Sequence, residues 1–367
     1  MNKIYSILAL LSISLVLAQS GAPAAPYYNG ANWTLTGTAL KNALATKITV
    51  THTNRLSYTP GIWEATRVTD SDPDNSQNVL LVYGWENGSD NLATNDRSRD
   101  KYSNGGNDGQ WNREHTYAKS LGTPTLVDGG IANDWSSDAG EDAHHIRSAD
   151  VQWNATRGNS TYAAGSGNSG SVAGGWYPGD EWKGDVARMM MYMYLRYDSQ
   201  CLPINVGTGT SPASDSNMLN LFLKWNAEDP VSAFEDARNT YHGNTAYRYA
   251  QGNRNPFIDN PYLATLIWGG VAAQNRWPST ILATETFDKF ANISVYPNPT
   301  NGHKIKIQTD IILDEIDLIN IDGKLIQMIK KPSLENQTYT LDNLPKGFYL
   351  VKMTSDNQSA TKSIIVN

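Results

Sequence analysis

Two short segments gather most of the residues that could carry out hydrolytic chemistry. The first, Trp111-Asn112-Arg113-Glu114-His115, sets a carboxylate beside an imidazole. The second runs from Glu141 to Asn159 and carries the pair His144-His145, two arginines, Arg147 and Arg157, and an asparagine, Asn154. Between them they hold three of the six histidines. An imidazole titrates near neutral pH and can take a proton from water. A carboxylate and an amide oxygen can hold a divalent cation, which neutralises charge on a leaving oxygen. A guanidinium grips a phosphate through paired hydrogen bonds. The combination points to metal-assisted phosphodiester hydrolysis.

These side chains need elements that bring them together. Neighbouring side chains in a strand point to opposite faces, so Glu114 and His115 serve one site best at a strand end or a bulge. Ala143 to Arg147 is expected to be a second strand. Ser148 is then the expected N-cap of a two-turn helix, Ala149 to Arg157, closed by Gly158. Asn is a poor helix former, so Asn154 in mid-helix calls for a role. Its amide oxygen is a hard ligand, suited to Mg²⁺ or Ca²⁺ rather than zinc. Asp150 lies one turn earlier on the same face, as a helix-start acid or a further ligand. Strand, strand and helix make a ββα arrangement with a metal at its centre.

The bulk composition is that of a soluble protein large enough for two or three domains: 367 residues, 40% hydrophobic and 18% charged. A net charge of -7 argues against a generally basic nucleic-acid binder, though not against a local cationic groove. The single cysteine, Cys201, excludes an intrachain disulfide and a thiolate zinc cluster. Residues 1–18 read as a signal peptide, with Lys3 before an apolar run. All eleven tryptophans lie between Trp33 and Trp277, which sets a first domain at 25–280, a linker at 281–290 and a second domain at 291–367. The first domain reads as mostly helical. Helices are expected over Leu40–Ile48, Gly184–Tyr197, Asn217–Ala227, from an Asp229-Pro230 start to about Ala250, and from Asn260-Pro261 to Trp268; a buried strand is expected over Asn78–Gly84. From Val295 the pattern changes to short alternating strands, with an Asp322-Gly323 turn, as in a small β-sandwich. The fold class is therefore α+β followed by an all-β domain.

Beyond these patterns, ordered blocks of the chain resemble the bacterial secreted endonuclease I family, a group with a ββα-metal nuclease core. The blocks are Trp111 to His115, Asp142 to Arg147, Asn154 to Asn159, Gly184 to Met189, Leu223-Lys224-Trp225 with Asp229-Pro230-Val231, and Gln251 to Asp259. The resemblance implies His115 as general base and Glu114 and Asn154 as ligands of Mg²⁺, with Ca²⁺ or Mn²⁺ as alternatives. It implies an arginine on the cleaved phosphate, for which Arg147 is the choice and Arg157 the other match. In some members that arginine comes from the loop between the strands, and this chain has none between Arg113 and Arg147. His144, His145 and Arg157 would support the site, and Arg254 would touch substrate phosphate. The tail, with Val295-Tyr296-Pro297-Asn298-Pro299, Gly347-Phe348-Tyr349 and Lys362 near the end, resembles the sorting domain of the type IX secretion system. Together these imply a secreted or surface-bound endonuclease acting on DNA, with RNA a second candidate substrate, handled by the secretion machinery and needing no obligate protein partner. The competing reading is a surface glycan-binding or adhesin protein, which would use the aromatic residues but gives no reason for Glu114, His115 and Asn154.

Overall fold

A computed structural model describes residues 23–86, 92–128, 139–278, 280–281, 293–309, 311–335, 337–355 and 358–367. The expected signal peptide and most of the expected linker lie outside the described residues. The chain divides into two units, Met1–Ile281 and Leu282–Asn367.

The first unit opens with helices α1 (Gly37–Thr51) and α2 (Trp63–Thr69) and an antiparallel pair, β1 (Asn78–Leu80) with β2 (Ser98–Asp100). Strand β3 (Trp111–His115) pairs antiparallel with β4 (Ile146–Asp150), and helix α3 (Val151–Arg157) follows at once. The hairpin β5 (Gly170–Val172) and β6 (Gly175–Tyr177) leads into α4 (Lys183–Tyr197), α5 (Asn220–Glu228), α6 (Ala233–His242), α7 (Pro256–Asp259) and α8 (Tyr262–Trp268). The unit is thus α+β with a ββα motif inside it.

Helix α4 is the axis of this core. Every residue from Gly184 to Leu195 is buried, including Met189, Met190, Met191 and Met193, and α1, α5 and α7 pack around it. A helix covered on all sides sits at the middle of a fold. Each apolar side chain so buried stabilises by about 1.5–3 kcal/mol. The core also takes in Trp176, Trp182, Trp225, Trp268 and Trp277, which absorbs much of the aromatic content. Cys201 is buried there as a free thiol.

The charges buried on α4 are braced from both sides. Arg188 makes a forked pair with Glu235 of α6, at 2.6 and 2.8 Å. Asp185 receives Arg147 of β4 at 3.1 Å, and Arg147 Nε lies 3.3 Å from Asp70 at the end of α2. Arg238 of α6 closes the group by pairing with Asp70 and donating to the carbonyl of Ile146 at 2.7 Å. Three guanidinium groups thus face three carboxylates, which is how a buried charge becomes tolerable.

Several expected boundaries move for identifiable reasons. Strand β4 begins three residues later than expected and absorbs Ser148, whose N–H and hydroxyl both bond Asp70 Oδ2 at 2.7 and 3.0 Å. The cap of α3 is Asp150, which accepts from the N–H of Trp153 at 2.8 Å. Gly158, at φ 54°, ends the helix as expected. Helix α6 starts from Ser232, which forms a reciprocal capping box with Glu235, and stops at His242 rather than near Ala250. Asp229 instead accepts from the N–H of Gly184 at the start of α4, at 2.9 Å. The expected strand Asn78–Gly84 shortens to β1 because Tyr83 takes a left-handed backbone, φ 76°.

The second unit has two antiparallel sheets. Strands β7 (Ser294–Tyr296), β8 (Ile305–Gln308) and β11 (Thr338–Leu341) form one, in the order β11-β8-β7. Strands β9 (Glu315–Asn320), β10 (Leu325–Lys330), β12 (Gly347–Ser355) and β13 (Gln358–Val366) form the other, in the order β10-β9-β12-β13. Alternate residues from both sheets, such as Ile305, Ile307, Tyr339, Leu341, Val351 and Met353, meet in one core. Gly323, at φ 77°, supplies the turn between β9 and β10 where Asp322-Gly323 pointed to one.

Candidate active site

Strands β3 and β4 run in register with Glu114 opposite Arg147 and His115 opposite Ile146. Helix α3 leaves the end of β4 and folds back on both strands. A cleft of about 420 Å³ opens along this motif, lined by Arg113, Glu114, His115, Lys119 and Asn154 among others. The two segments singled out in the sequence therefore share one wall.

Glu114 is the buried penultimate residue of β3, and its two oxygens differ. Oε1 accepts from the Tyr83 hydroxyl at 2.9 Å and from Arg157 Nη1 at 2.8 Å. Oε2 takes no hydrogen bond among the described residues. Burial raises the Glu114 pKa, while Arg157 and Tyr83 oppose the rise. Arg157 itself is fully buried and also donates to the carbonyls of His115 and Thr116, each at 3.0 Å. One guanidinium thus fixes the carboxylate and the backbone on which the imidazole hangs.

The His115 ring is held on three sides. Its Nε2 lies 2.9 Å from the carbonyl of Gly140. A carbonyl only accepts, so Nε2 carries the proton of the neutral ring and Nδ1 carries the lone pair. Nδ1 has no partner among the described residues. Tyr58 stacks on the ring at 5.5 Å between centroids, and His145 tilts against it at 5.5 Å. Burial, followed by the neighbouring His145, holds the His115 pKa well below the ordinary imidazole value. That shift favours the neutral ring, the form in which it can accept a proton.

Asn154 sits half-buried on α3 and donates its amide nitrogen to Asn112 Oδ1 at 2.8 Å. That bond commits the nitrogen and leaves the oxygen as the group available to a ligand. Glu114 and Asn154 together offer two hard oxygens on one wall, the donor type and number with which Mg²⁺ keeps most of its waters. Among the described residues no group of three or more His, Cys, Asp or Glu side chains could form an all-protein metal cage.

The remaining expected site residues fall behind the cleft. His144 is buried, its Nε2 3.1 Å from the carbonyl of Asn253, and its ring packs on Tyr192. His145 donates Nε2 to the carbonyl of Ala139 at 2.9 Å, and burial lowers its pKa to about 4. His145 thus braces the turn whose Gly140 carbonyl orients His115, and His144 ties the residues that follow it to Asn253 and Tyr192. Asp142 anchors the same turn, accepting from Tyr192, Tyr197, Gln251 and the N–H of His144 at 2.7–3.0 Å. Asp150 is a cap and the partner of Arg99 at 2.8 Å, which rules it out as a ligand facing the cleft.

Two arginine expectations are corrected. Arg147 does not reach the cleft: it is fully buried between Asp70 and Asp185, with its guanidinium 4.7 Å from the Phe234 ring. Arg254 is clamped by Asp259 through Nε at 2.9 and 3.1 Å and does not line the cleft. The cations that do line it are Arg113 and Lys119. Lys119 pairs with Asp128 at 2.5 Å. Arg113 donates Nη1 to Thr59 Oγ1 at 3.0 Å, and its Nη2 has no partner among the described residues. Lys119 was visible in advance as the one basic residue between Arg113 and Arg147. Tyr83, Asn112 and Tyr162, whose hydroxyl lies 2.7 Å from that of Tyr83 and 3.0 Å from the Thr116 carbonyl, gave no local signal beyond their polarity.

Comparison with known proteins gives two family matches. The Endonuclease I profile matches residues 36–262, and that of the secretion system C-terminal sorting domain matches residues 294–367. The chain is 42% identical over 242 residues to a protein named extracellular ribonuclease from Bacillus amyloliquefaciens, covering 63% of this chain and 74% of that protein. It is 41% identical over 268 residues to a protein of the same name from Bacillus subtilis (strain 168), covering 69% of this chain and 83% of that protein.

Proposed function

From the premise that the chain belongs to the endonuclease I family and ends in a type IX secretion sorting domain, which makes it a secreted or cell-surface nuclease, we propose that it hydrolyses phosphodiester bonds of RNA and DNA by metal-assisted attack of water. The observation that carries this reading is the cleft wall on which Glu114, His115 and Asn154 stand together, with Nδ1 of His115 left without a partner among the described residues.

His115 Nδ1 takes a proton from water as the water oxygen bonds to phosphorus and the opposite P–O bond breaks. Glu114 Oε2 and the Asn154 amide oxygen would hold Mg²⁺, with waters completing its shell. Bound there, the cation would neutralise charge on the leaving oxygen. Lys119 and the Nη2 edge of Arg113 hold the phosphate in place of Arg147, and the displaced oxygen takes its proton from solvent. Arg157, Tyr83 and the turn around Asp142 keep Glu114 and His115 in position. Attack by external water needs no 2′-hydroxyl on the substrate, which is why both nucleic acids are expected to be cut; the names of the two Bacillus relatives support RNA.

The test is cleavage of plasmid DNA and of RNA by purified wild-type protein and His115→Ala. Loss of the base should lower kcat by about 10²–10⁴-fold on both substrates with the melting curve unchanged in shape. EDTA should stop the wild type and Mg²⁺ restore it. Full activity of His115→Ala, or EDTA-resistant cleavage, would overturn the mechanism.

A further inference from the structure

From the cleft outward, aromatic rings alternate with cations. Tyr58, stacked on His115, carries the Arg113 guanidinium 3.5 Å from its ring centre, and the same guanidinium lies 4.1 Å from the ring of Trp63. One turn along α2 from Trp63, on the same face, Arg67 places its guanidinium 5.3 Å from the ring centre of Tyr102. Lys101 approaches the same ring at 5.7 Å.

Tyr102 differs from the other rings of this series. It is 68% exposed, so burial gives little reason for an aromatic side chain there. Its backbone is nevertheless fixed. The N–H of Tyr102 donates to Asp100 Oδ1 at 2.8 Å, and the indole of Trp111 in β3 donates to the carbonyl of Asp100 at 3.1 Å. Arg67 is fixed as well, by Glu64 at 2.5 Å, Asn104 Oδ1 at 2.7 Å and the carbonyl of Lys101 at 3.3 Å. The ring is therefore a preassembled platform, supported by two cations and open to solvent. The carboxylates nearby, Glu64 and Asp100, are spent on Arg67 and on the Tyr102 backbone. In a chain of net charge -7, phosphates must be drawn by local cations; Lys101 and Arg113, which pair with no carboxylate among the described residues, supply them along this line, while Arg67 and Lys119 are held by Glu64 and Asp128.

We propose that Tyr102, backed by Arg67 and Lys101, is a stacking subsite for one unpaired base of a single-stranded nucleic acid whose scissile phosphate lies in the cleft; this rests on the nuclease reading above for the position of that phosphate. A base offers a π-face whatever its identity, so the subsite gives grip without sequence preference. A paired base in a duplex has its faces covered by its neighbours, so the subsite favours single strands.

The experiment is binding of a fluorescent single-stranded dodecanucleotide to the full secreted chain in EDTA, followed by anisotropy. Tyr102→Ala should weaken Kd by about tenfold, the size of one base–aromatic stack. Tyr102→Phe and Tyr102→Trp should restore it, which a purely structural role for the tyrosine hydroxyl would not allow. A duplex of the same sequence should show a smaller loss. Equal Kd values for wild type and Tyr102→Ala, or an equal loss on the duplex, would overturn the subsite. Cleavage in Mg²⁺ is scored separately: a wild-type protein that binds through Tyr102 but cuts nothing would instead sink the nuclease mechanism.

Discussion

Replacing Arg157 with methionine should disarm the carboxylate without touching a group that lines the cleft. Arg157 is buried and spends its guanidinium on Glu114 Oε1 at 2.8 Å and on two carbonyls at 3.0 Å. Methionine fills a similar volume but leaves Glu114 buried with the Tyr83 hydroxyl as its remaining donor. Two consequences follow. Breaking one side of a buried pair costs about 3–5 kcal/mol of stability, a large share of the roughly 5–15 kcal/mol of a typical domain. Glu114, whose pKa burial already raises, loses the cation that opposes the rise, so its pKa moves further up. The protonated acid cannot hold a cation, so Mg²⁺ affinity should fall by about 10–100-fold, as is usual when a ligand's own support is removed. The acid limb of the pH–rate profile should move to higher pH. Calorimetric Mg²⁺ titration at several pH values, under conditions where circular dichroism shows a folded protein, measures both effects. Arg157→Lys, which keeps the charge but cannot span all three acceptors, should fall between the two. A folded Arg157→Met protein with wild-type Mg²⁺ affinity and an unmoved acid limb would refute the claim that Arg157 sets the charge of Glu114.

Other perturbations separate scaffold from site. Arg147→Met should lower stability by about 3–5 kcal/mol, because it removes the nearest cation from the buried Asp185 and one of the two cations on Asp70, while the folded protein keeps the wild-type pH–rate profile; urea denaturation and kinetics check the two halves. Acid should unfold the first unit early. Burial lowers the pKa of His52 and of His145 to about 4, from ordinary values near 6.5. The unfolded chain then binds the extra protons, so the stability these groups contribute is complete above about pH 6.5 and is lost as pH falls toward 4, with a slope of up to about 2.7 kcal/mol per pH unit for the pair. Urea midpoints measured across that range check the sign, and a midpoint that rises on acidification would contradict it.

The parts of this architecture that local chemistry dictates were legible in the sequence. Glu114-His115 on a strand, Asn154 on a helix closed by Gly158, the long helix through Met189–Met193 and the alternating strands of the tail all follow from patterns within a few residues. The start of α6 was legible too, since Ser232 and Glu235 spell a capping box, a stronger signal than the Asp229-Pro230 pair that drew attention. Arg147 and Arg254 were not legible. A guanidinium goes where carboxylates converge, and Asp70 and Asp185 approach Arg147 from 77 residues upstream and 38 downstream. The same holds for Tyr83, whose left-handed backbone brings its hydroxyl to Glu114 against the preference of the strand around it. Local propensity is outweighed in such places by tertiary pairing of buried polar groups.

The lone, buried Cys201 has a practical side. Burial raises its thiol pKa, so little thiolate forms and none of it is at the surface. The braces of the first unit are guanidinium–carboxylate pairs and stacked rings, which assemble with or without an oxidant. Maturation and activity should therefore be indifferent to the redox state of the surroundings. A cysteine placed on an exposed position, Tyr247 for instance, would be the one thiol open to maleimide, giving a native-like protein with a single attachment point for a dye or a surface.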